Sequence, residues 1–182
     1  MTGGGATTVL GGEEFRDALG ALGGRIAARA PAPLAVLGIR RRGVPLAARL
    51  LAHLERAGRT GIPSGELDIN LYRDDVHDRG IPRVRVTRIP FALERHHVLL
   101  VDDVLFTGRT VRAALTALSH FGRPRSVLLA VLVDRGGREL PIAPDFAGLR
   151  VAARPEEMVR VRVEEEDGMD GVFTVPTAAA TR

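Results

Sequence analysis

The apolar positions of the chain follow two spacings, one typical of amphipathic helices and one typical of buried strands. Positions three and four residues apart predict a first helix, on a face made by Phe15, Leu19, Leu22 and Ile26. Leu34–Ile39 is a continuous apolar run, which predicts a buried strand, and a basic loop at 40–43 follows it. The helical spacing returns from Val44, with Pro45 acceptable in a first turn, at Ala47, Leu50, Leu51 and Leu54. The chain therefore begins as helix, strand, loop and helix.

The same alternation continues through the middle of the chain. Residues 67–72 alternate apolar and polar and predict a strand, and the polar, basic stretch 76–90 is predicted to be a mobile loop with a short hairpin at 83–88. Residues 98–101 and 127–133 predict buried strands, with a helix between them marked by Val111, Ala114, Leu115, Leu118 and Phe121. Alternating strands and helices predict an α/β fold, a mostly parallel sheet with helices on both faces and a ligand site at the strands' carboxyl ends.

After Pro141 the sequence is rich in proline and loses the regular helix and strand spacings. We predict irregular chain there, then a late strand at Val159, Val161 and Val163 that belongs to a small C-terminal appendage over the sheet. A length of 182 residues with 45% hydrophobic content favours a single domain over 1–182, with flexible ends at 1–12 and 174–182.

Composition removes several classes of function. The chain has no cysteine, so disulfide frameworks and thiolate sites are excluded, and its five histidines lack zinc-ligand spacing. No leader-like or membrane-spanning stretch is visible, so we expect a cytoplasmic protein without membrane contact. A net charge of +4 suits phosphates or nucleic acid without deciding between them.

The segment 98–111 carries the clearest chemistry. Its apolar strand ends in the carboxylates Asp102 and Asp103, and Thr107-Gly108-Arg109-Thr110 then opens a helix. A helix N-terminus holds phosphate through unpaired N–H groups, and Gly108 lets the backbone approach closely. Ionised carboxylates accept hydrogen bonds from vicinal hydroxyls, so the segment suits a ribose 5-phosphate. Capping for stability alone accounts for single residues of this run but not for the whole of it.

This run resembles the 5-phosphoribosyl-1-pyrophosphate (PRPP) motif of the type I phosphoribosyltransferases. Within them, the chain is similar to the bifunctional pyrimidine-operon regulator/uracil phosphoribosyltransferase group, PyrR. Four further runs carry that likeness, namely residues 38–43, 67–75, 129–136 and 138–146. Walker-type and dinucleotide-type glycine motifs are absent.

The resemblance implies transfer of ribose 5-phosphate from PRPP to uracil, giving uridine monophosphate (UMP) and pyrophosphate, with Mg²⁺ on the diphosphate and no direct protein ligand to the metal. It assigns catalytic roles to Asp102, Asp103, Arg42 and Arg73, and PRPP binding to Val104, Leu105, Phe106, Thr107, Gly108, Arg109 and Thr110. It also assigns pyrophosphate to Arg41 and Arg42, a closing loop to Arg73 with Arg79 or Arg83, and base binding to Arg135 and Val159. Arg41 departs from the family's Lys-Thr-Arg loop, and Phe106 replaces the usual acid or tyrosine, so we assign no general base.

PyrR proteins also bind the leader of pyrimidine-operon mRNA in response to uridine nucleotides such as UMP and UTP, as homodimers or larger homo-oligomers. Arg138 is retained on the expected RNA face, but polar or basic side chains are replaced at Gly20, Gly24, Gly137, Ala143 and Leu149. Other cations remain available to RNA at Arg25, Arg29, Arg150 and Arg154. Two alternatives stay open: a ligand-sensing RNA regulator with little catalysis, and a transferase for a purine or orotate.

Overall fold

The computed structural model describes residues 6–72 and 86–177. In chain order the elements are β1 (Thr7–Leu10), α1 (Gly12–Arg29), β2 (Leu34–Ile39), α2 (Gly43–Arg56), β3 (Ser64–Leu67), β4 (His97–Leu105), α3 (Arg109–Ser119), β5 (Ser126–Asp134), β6 (Phe146–Arg150), β7 (Glu157–Arg162), α4 (Glu164–Asp167) and β8 (Gly171–Pro176). Short 3₁₀ turns lie at Asn70–Tyr72 and Leu93–Arg95.

Five parallel strands make the main sheet, in the order β3-β2-β4-β5-β6. All six residues of β2 are buried, as a strand covered on both faces requires. The register places Gly38 beside Val101 and Val101 beside Ala130, so the carboxyl ends of β2, β4 and β5 come together at one edge. The α/β prediction is confirmed.

Helices cover both faces of this sheet, and each face has its own core. The α1 and α2 side is centred on side chains such as Phe15, Ile26 and Leu50, all fully buried. The α3 side is centred on Leu37, Leu100 and its own apolar stripe. The three helical faces predicted from the sequence are thus largely the faces that bury apolar area against the sheet, which is the main stabilising contribution. Leu115 and Phe121 of the third predicted face are exceptions, at 40% and 48% exposed.

A second, antiparallel sheet of three strands, β1-β8-β7, forms the predicted appendage; this sheet, together with the connection 163–170 that contains α4, is called the hood. It joins the two ends of the chain, since Thr7 pairs with Thr174. The expectation of flexible ends was therefore wrong for residues 7–10 and 174–176. Short strands paired across a long sequence separation leave no local pattern to read. Residues 1–5 and 178–182 lie outside the described part of the chain.

Two further expectations differ from the structure for local reasons. The strand predicted at 67–72 lies earlier, at Ser64–Leu67, because the Asp68 carboxylate accepts the Asn70 N–H (2.9 Å) and turns the chain. The irregular chain expected after Pro141 contains β6, which Asp145 docks beside β5 by exchanging hydrogen bonds with Leu129 (2.8 and 2.9 Å).

The predicted mobile loop at 76–90 and hairpin at 83–88 fall largely on residues 73–85, outside the described residues. Arg88 itself forms an isolated antiparallel bridge with Glu66. No helix among the described residues is long and apolar enough to cross a membrane.

Candidate active site at the carboxyl ends of the strands

The acidic pair lies near the carboxyl end of β4. Asp102 is only 6% exposed, and its Oδ1 accepts the Asp103 N–H (2.9 Å). Asp103 in turn accepts the Val104 N–H through its own Oδ1 (2.9 Å). Burial raises the pKa of Asp103, while hydrogen bonding with Asp102 and the nearby charge of Arg42 oppose that shift. The pair is therefore fixed in orientation at the sheet edge.

The turn after β4 leads directly into α3. Gly108 precedes the helix with φ +94°, a left-handed conformation that glycine adopts without steric cost. The Thr107 hydroxyl accepts the Arg109 N–H (3.4 Å), so this side chain faces the first turn of the helix. Together they place a glycine turn, a hydroxyl and a helix N-terminus about one turn beyond the acidic pair, an arrangement that binds phosphate.

The segment 136–142, which we call the strap, holds this turn from one side. The Thr107 carbonyl accepts the N–H groups of Glu139 (3.0 Å) and Leu140 (3.1 Å), and Arg109 forms an ion pair with Glu139 (2.7 Å). In a trans peptide the N–H points opposite to the C=O. Because the Thr107 carbonyl is turned towards the strap, the Gly108 N–H is turned away from it.

Arg138 is the centre of the strap. Its guanidinium donates to the carbonyls of Leu105 (3.2 Å) and Phe106 (2.8 Å), to two strap carbonyls and to the Asp134 carboxylate (2.5 Å). Although burial works in the opposite direction, hydrogen bonds from Arg138 and Gly136 lower the pKa of Asp134. Arg138 is assigned to RNA by resemblance, but in the structure its guanidinium N–H groups donate hydrogen bonds to acceptors within the chain.

The basic loop 40–42 connects β2 to α2 beside the acidic pair. Gly43, the first residue of α2, packs so closely that a Cβ there would collide with the Val101 carbonyl and lie 3.4 Å from Asp102 Cα. Arg40 forms an ion pair with Glu66 on the neighbouring strand. The peptide bond between Arg40 and Arg41 is cis.

Arg42 links the basic loop to the hood. It forms a bidentate pair with Asp167 of α4, Nε to Oδ2 at 2.9 Å and Nη2 to Oδ1 at 2.7 Å. Hydrogen bonding with Asp167 raises the pKa of Arg42, and the charge of Asp103 adds to the effect. Arg42 therefore joins the hood to the end of the loop that packs beside the acidic pair.

Phe106 and Arg135 form the side of the site next to the hood. The Arg135 guanidinium lies over the Phe106 ring, 3.8 Å from its centroid, and donates to the carbonyls of Glu157 (2.7 Å) and Arg154 (3.1 Å). Phe106 is 43% exposed, while Val159 is partly buried against the main core. The structure thus brings an exposed aromatic face, a cation and hood backbone together.

The structure brings most of the predicted residues to one edge, namely Asp102, Asp103, Arg42, Phe106, Arg135 and the turn 107–110. Arg41 is less integrated, since its side chain is 63% exposed with one ion pair to Glu166 at 3.2 Å. Arg73, Arg79 and Arg83 lie outside the described residues. The acids of the hood were not predicted as partners of the basic loop, although an acidic run at 164–167 in a chain rich in arginine was the available signal.

Comparisons with known proteins agree with this geometry. The phosphoribosyl transferase domain model matches residues 16–164. A bifunctional protein PyrR of Roseiflexus sp. (strain RS-1) is 49% identical over 181 residues, covering 97% of this chain and 99% of the relative. That of Thermus aquaticus is 55% identical over 140 residues, covering 76% and 77%.

Solved structures give the same fold. The hypoxanthine phosphoribosyltransferase of Trypanosoma cruzi superposes with a TM-score of 0.69 at 20% identity, covering 93% of this chain and 96% of the other. That of Staphylococcus aureus gives 0.68 at 18% identity, covering 96% and 94%. At such identities the likeness concerns the fold alone. From the domain match and the close relatives, this chain belongs to the phosphoribosyltransferase family and, within it, to the bifunctional PyrR proteins.

Proposed function

We propose that this chain transfers ribose 5-phosphate from PRPP to uracil, forming UMP and pyrophosphate. One arrangement carries the proposal: an acidic pair whose first member is buried, a glycine turn at a helix N-terminus and the arginine-rich loop that packs beside the pair all lie at one sheet edge. Membership of the PyrR proteins supports uracil as the base.

The roles follow from charge and position. The turn 107–110 binds the 5-phosphate through backbone N–H groups and hydroxyls. Asp102 and Asp103 accept hydrogen bonds from the ribose hydroxyls and stabilise positive charge that develops at C1 as pyrophosphate leaves. Arg42, with Arg41 beside it, binds the pyrophosphate. Arg73 is proposed to close over it, and this role rests on the family alone.

Mg²⁺ is proposed to accompany PRPP, without direct ligands from the protein. Mg²⁺ prefers oxygen ligands and keeps several waters, and the two carboxylates at the end of β4 provide acceptors for such waters. When bound, the ion neutralises charge on the leaving pyrophosphate.

The base is proposed to bind at the exposed part of Phe106, beside Arg135 and the hood backbone near Val159. Phe106 offers an apolar face for stacking, and Arg135 holds the hood strand beside it through Glu157 (2.7 Å). Phe106 has no ionisable group, so proton transfer from N1 of uracil is left to solvent or to the departing pyrophosphate.

The decisive experiment offers PRPP and Mg²⁺ with uracil, hypoxanthine, guanine or orotate in separate reactions and follows nucleotide formation. UMP formed by the unmodified chain and not by the Asp102→Asn/Asp103→Asn variant would support both the reaction and its site. If a nucleotide formed only from another base, that base would replace uracil as the proposed substrate. PRPP binding without any product would favour the ligand-sensing regulator.

A second activity, uridine-nucleotide-dependent binding of pyrimidine-operon mRNA, is proposed because the chain belongs to the bifunctional group. Its expected face is altered here: Gly20 lies against His53, Gly137 lies against Phe106, and Leu149 packs on the core. Arg150 remains 87% exposed and available to phosphate. Filter binding of leader RNA with and without UMP tests this activity, and no retention at low salt would remove it. A cytoplasmic homodimer or larger assembly completes the proposal.

A further inference from the structure

Three arginines of the basic loop and α2 meet acids of the hood. Arg41 contacts Glu166, Arg42 contacts Asp167, and Arg49 forms bidentate contacts with both Glu165 and Asp170 (2.7 to 2.9 Å). These contacts differ in geometry and in what lies behind each arginine, so they need not have the same role.

The Arg42–Asp167 pair adjoins the acidic pair, because Arg42 directly precedes Gly43, whose backbone packs against the Val101 carbonyl and Asp102. Asp167 occupies the Nε and Nη2 edge of the guanidinium (2.9 and 2.7 Å), which leaves Nη1 outside the pair. Asp167 is itself fixed, because its Oδ2 accepts the Val163 N–H (3.0 Å) and its N–H donates to the Val163 carbonyl (2.7 Å). A bidentate contact to a fixed carboxylate sets the plane of a guanidinium, so Asp167 determines where Nη1 of Arg42 lies.

Arg49 provides the contrast within the same hood. Its pairs with Glu165 and Asp170 tie α2 to the hood as firmly as Asp167 ties Arg42. Arg49 lies more than one turn into α2, however, and its side-chain partners are Glu165 and Asp170. Its pairs dock the hood without touching the basic loop.

We propose that Asp167 is a positioning residue that orients Arg42 for the pyrophosphate of PRPP. The proposal deepens the function proposed above and rests on it for the identity of the substrate. Its consequence is that the hood contributes to pyrophosphate binding through one carboxylate that never contacts the ligand.

The test compares Asp167→Asn with Glu165→Gln, a matched removal of one hood carboxylate from a bidentate arginine pair. Binding of Mg²⁺-pyrophosphate is measured by calorimetry, and KM values for PRPP and uracil are measured separately. We expect Asp167→Asn to weaken pyrophosphate binding and to raise KM for PRPP, each by about tenfold, the effect of loosening one charge-assisted contact. In Asp167→Asn the KM for uracil should stay within about twofold of the value for the unmodified chain. Glu165→Gln should leave both pyrophosphate binding and the KM for PRPP unchanged.

If the two variants changed pyrophosphate binding and the KM for PRPP equally, Asp167 would serve only to dock the hood, and the proposal would be overturned. Tighter pyrophosphate binding by Asp167→Asn would also overturn it, because Asp167 would then compete with the ligand for Arg42. If Asp167→Asn does not fold, Asp167→Glu decides: it keeps the charge but displaces it, so weakened pyrophosphate binding supports positioning and unchanged binding refutes it. Calorimetry with pyrophosphate needs no base, so failure to form UMP would count against the proposed reaction and not against this role of Asp167.

Discussion

Replacing Gly108 with alanine should damage stability and PRPP binding together. Gly108 has φ +94°, and a Cβ there would lie 3.3 Å from Leu140 Cβ and 3.4 Å from Ile142 Cδ1. The left-handed conformation costs a residue with a Cβ about 1 to 2 kcal/mol. Moving the strap side chains by a few tenths of an ångström adds about 1 kcal/mol more.

The expected loss of about 2 to 3 kcal/mol corresponds to a Tm lower by about 4 to 12 °C for a chain of this size. The turn can relieve the strain only by shifting, which moves its N–H groups away from the 5-phosphate. Loss of one hydrogen bond to a charged phosphate is worth about 1.5 to 3 kcal/mol, so KM for PRPP should rise at least about tenfold.

Gly58→Ala is the matched control for this substitution. Gly58 also has a positive φ (+82°), but a Cβ there would meet no atom within 4 Å. It ends α2 away from the site, so the backbone strain is similar and the ligand contact is absent. We expect a lower Tm with an unchanged KM for PRPP. If Gly108→Ala also left the KM for PRPP unchanged, the assignment of the turn to the 5-phosphate would be refuted.

Three further predictions concern packing, acid stability and RNA. Gly23→Ala should lower the free energy of unfolding by about 1 to 3 kcal/mol in urea titrations, because the new Cβ would lie 2.7 Å from His53 Cβ; an unchanged value would contradict the tight helix contact. Arg42 lowers the pKa of Asp167 to about 2, so the pair stabilises the fold above the ordinary pKa of 3.8 and loses that effect as pH falls towards 2. The stability difference between the unmodified chain and Asp167→Asn should therefore shrink over that pH range, and a constant difference in acid unfolding would oppose the reasoning. Arg150→Ala should reduce the slope of log affinity for leader RNA against log salt concentration by about 0.7 without changing UMP formation, since the side chain is 87% exposed; an unchanged slope would remove Arg150 from the interface.

The parts of the fold that were predictable from the sequence are those whose burial is visible locally. The run Leu34–Ile39 has six buried residues in a row, and the stripe of α3 buries Val111, Ala114 and Leu118. The strand β7 was predicted, but β3 was displaced and β1 and β8 of the hood were missed. Their existence depends on partners far along the chain, as in the pairing of Thr7 with Thr174, and on turn contacts such as Asp68 with Asn70.

The candidate site likewise has residues that the sequence shows together and residues that only the fold brings near them. Asp102, Asp103 and the turn at Gly108 are neighbours in sequence, so a linear motif shows them together. Arg42 comes near them only through the register of β2 and β4. Its partner Asp167 is 125 residues further along the chain and arrives with the hood.

The hood thus has two different relations to the active site. Through β7 it provides the backbone beside Phe106, with Arg135 joining the two at 2.7 Å from the Glu157 carbonyl. Through α4 it provides the carboxylate that holds Arg42. In the proposed reaction the base and the pyrophosphate flank C1 of the ribose, so the proposal gives the hood a role on both sides of the reacting centre. A change that shifts the hood should therefore raise the KM values for PRPP and uracil together. Asp167→Asn should raise the KM for PRPP alone.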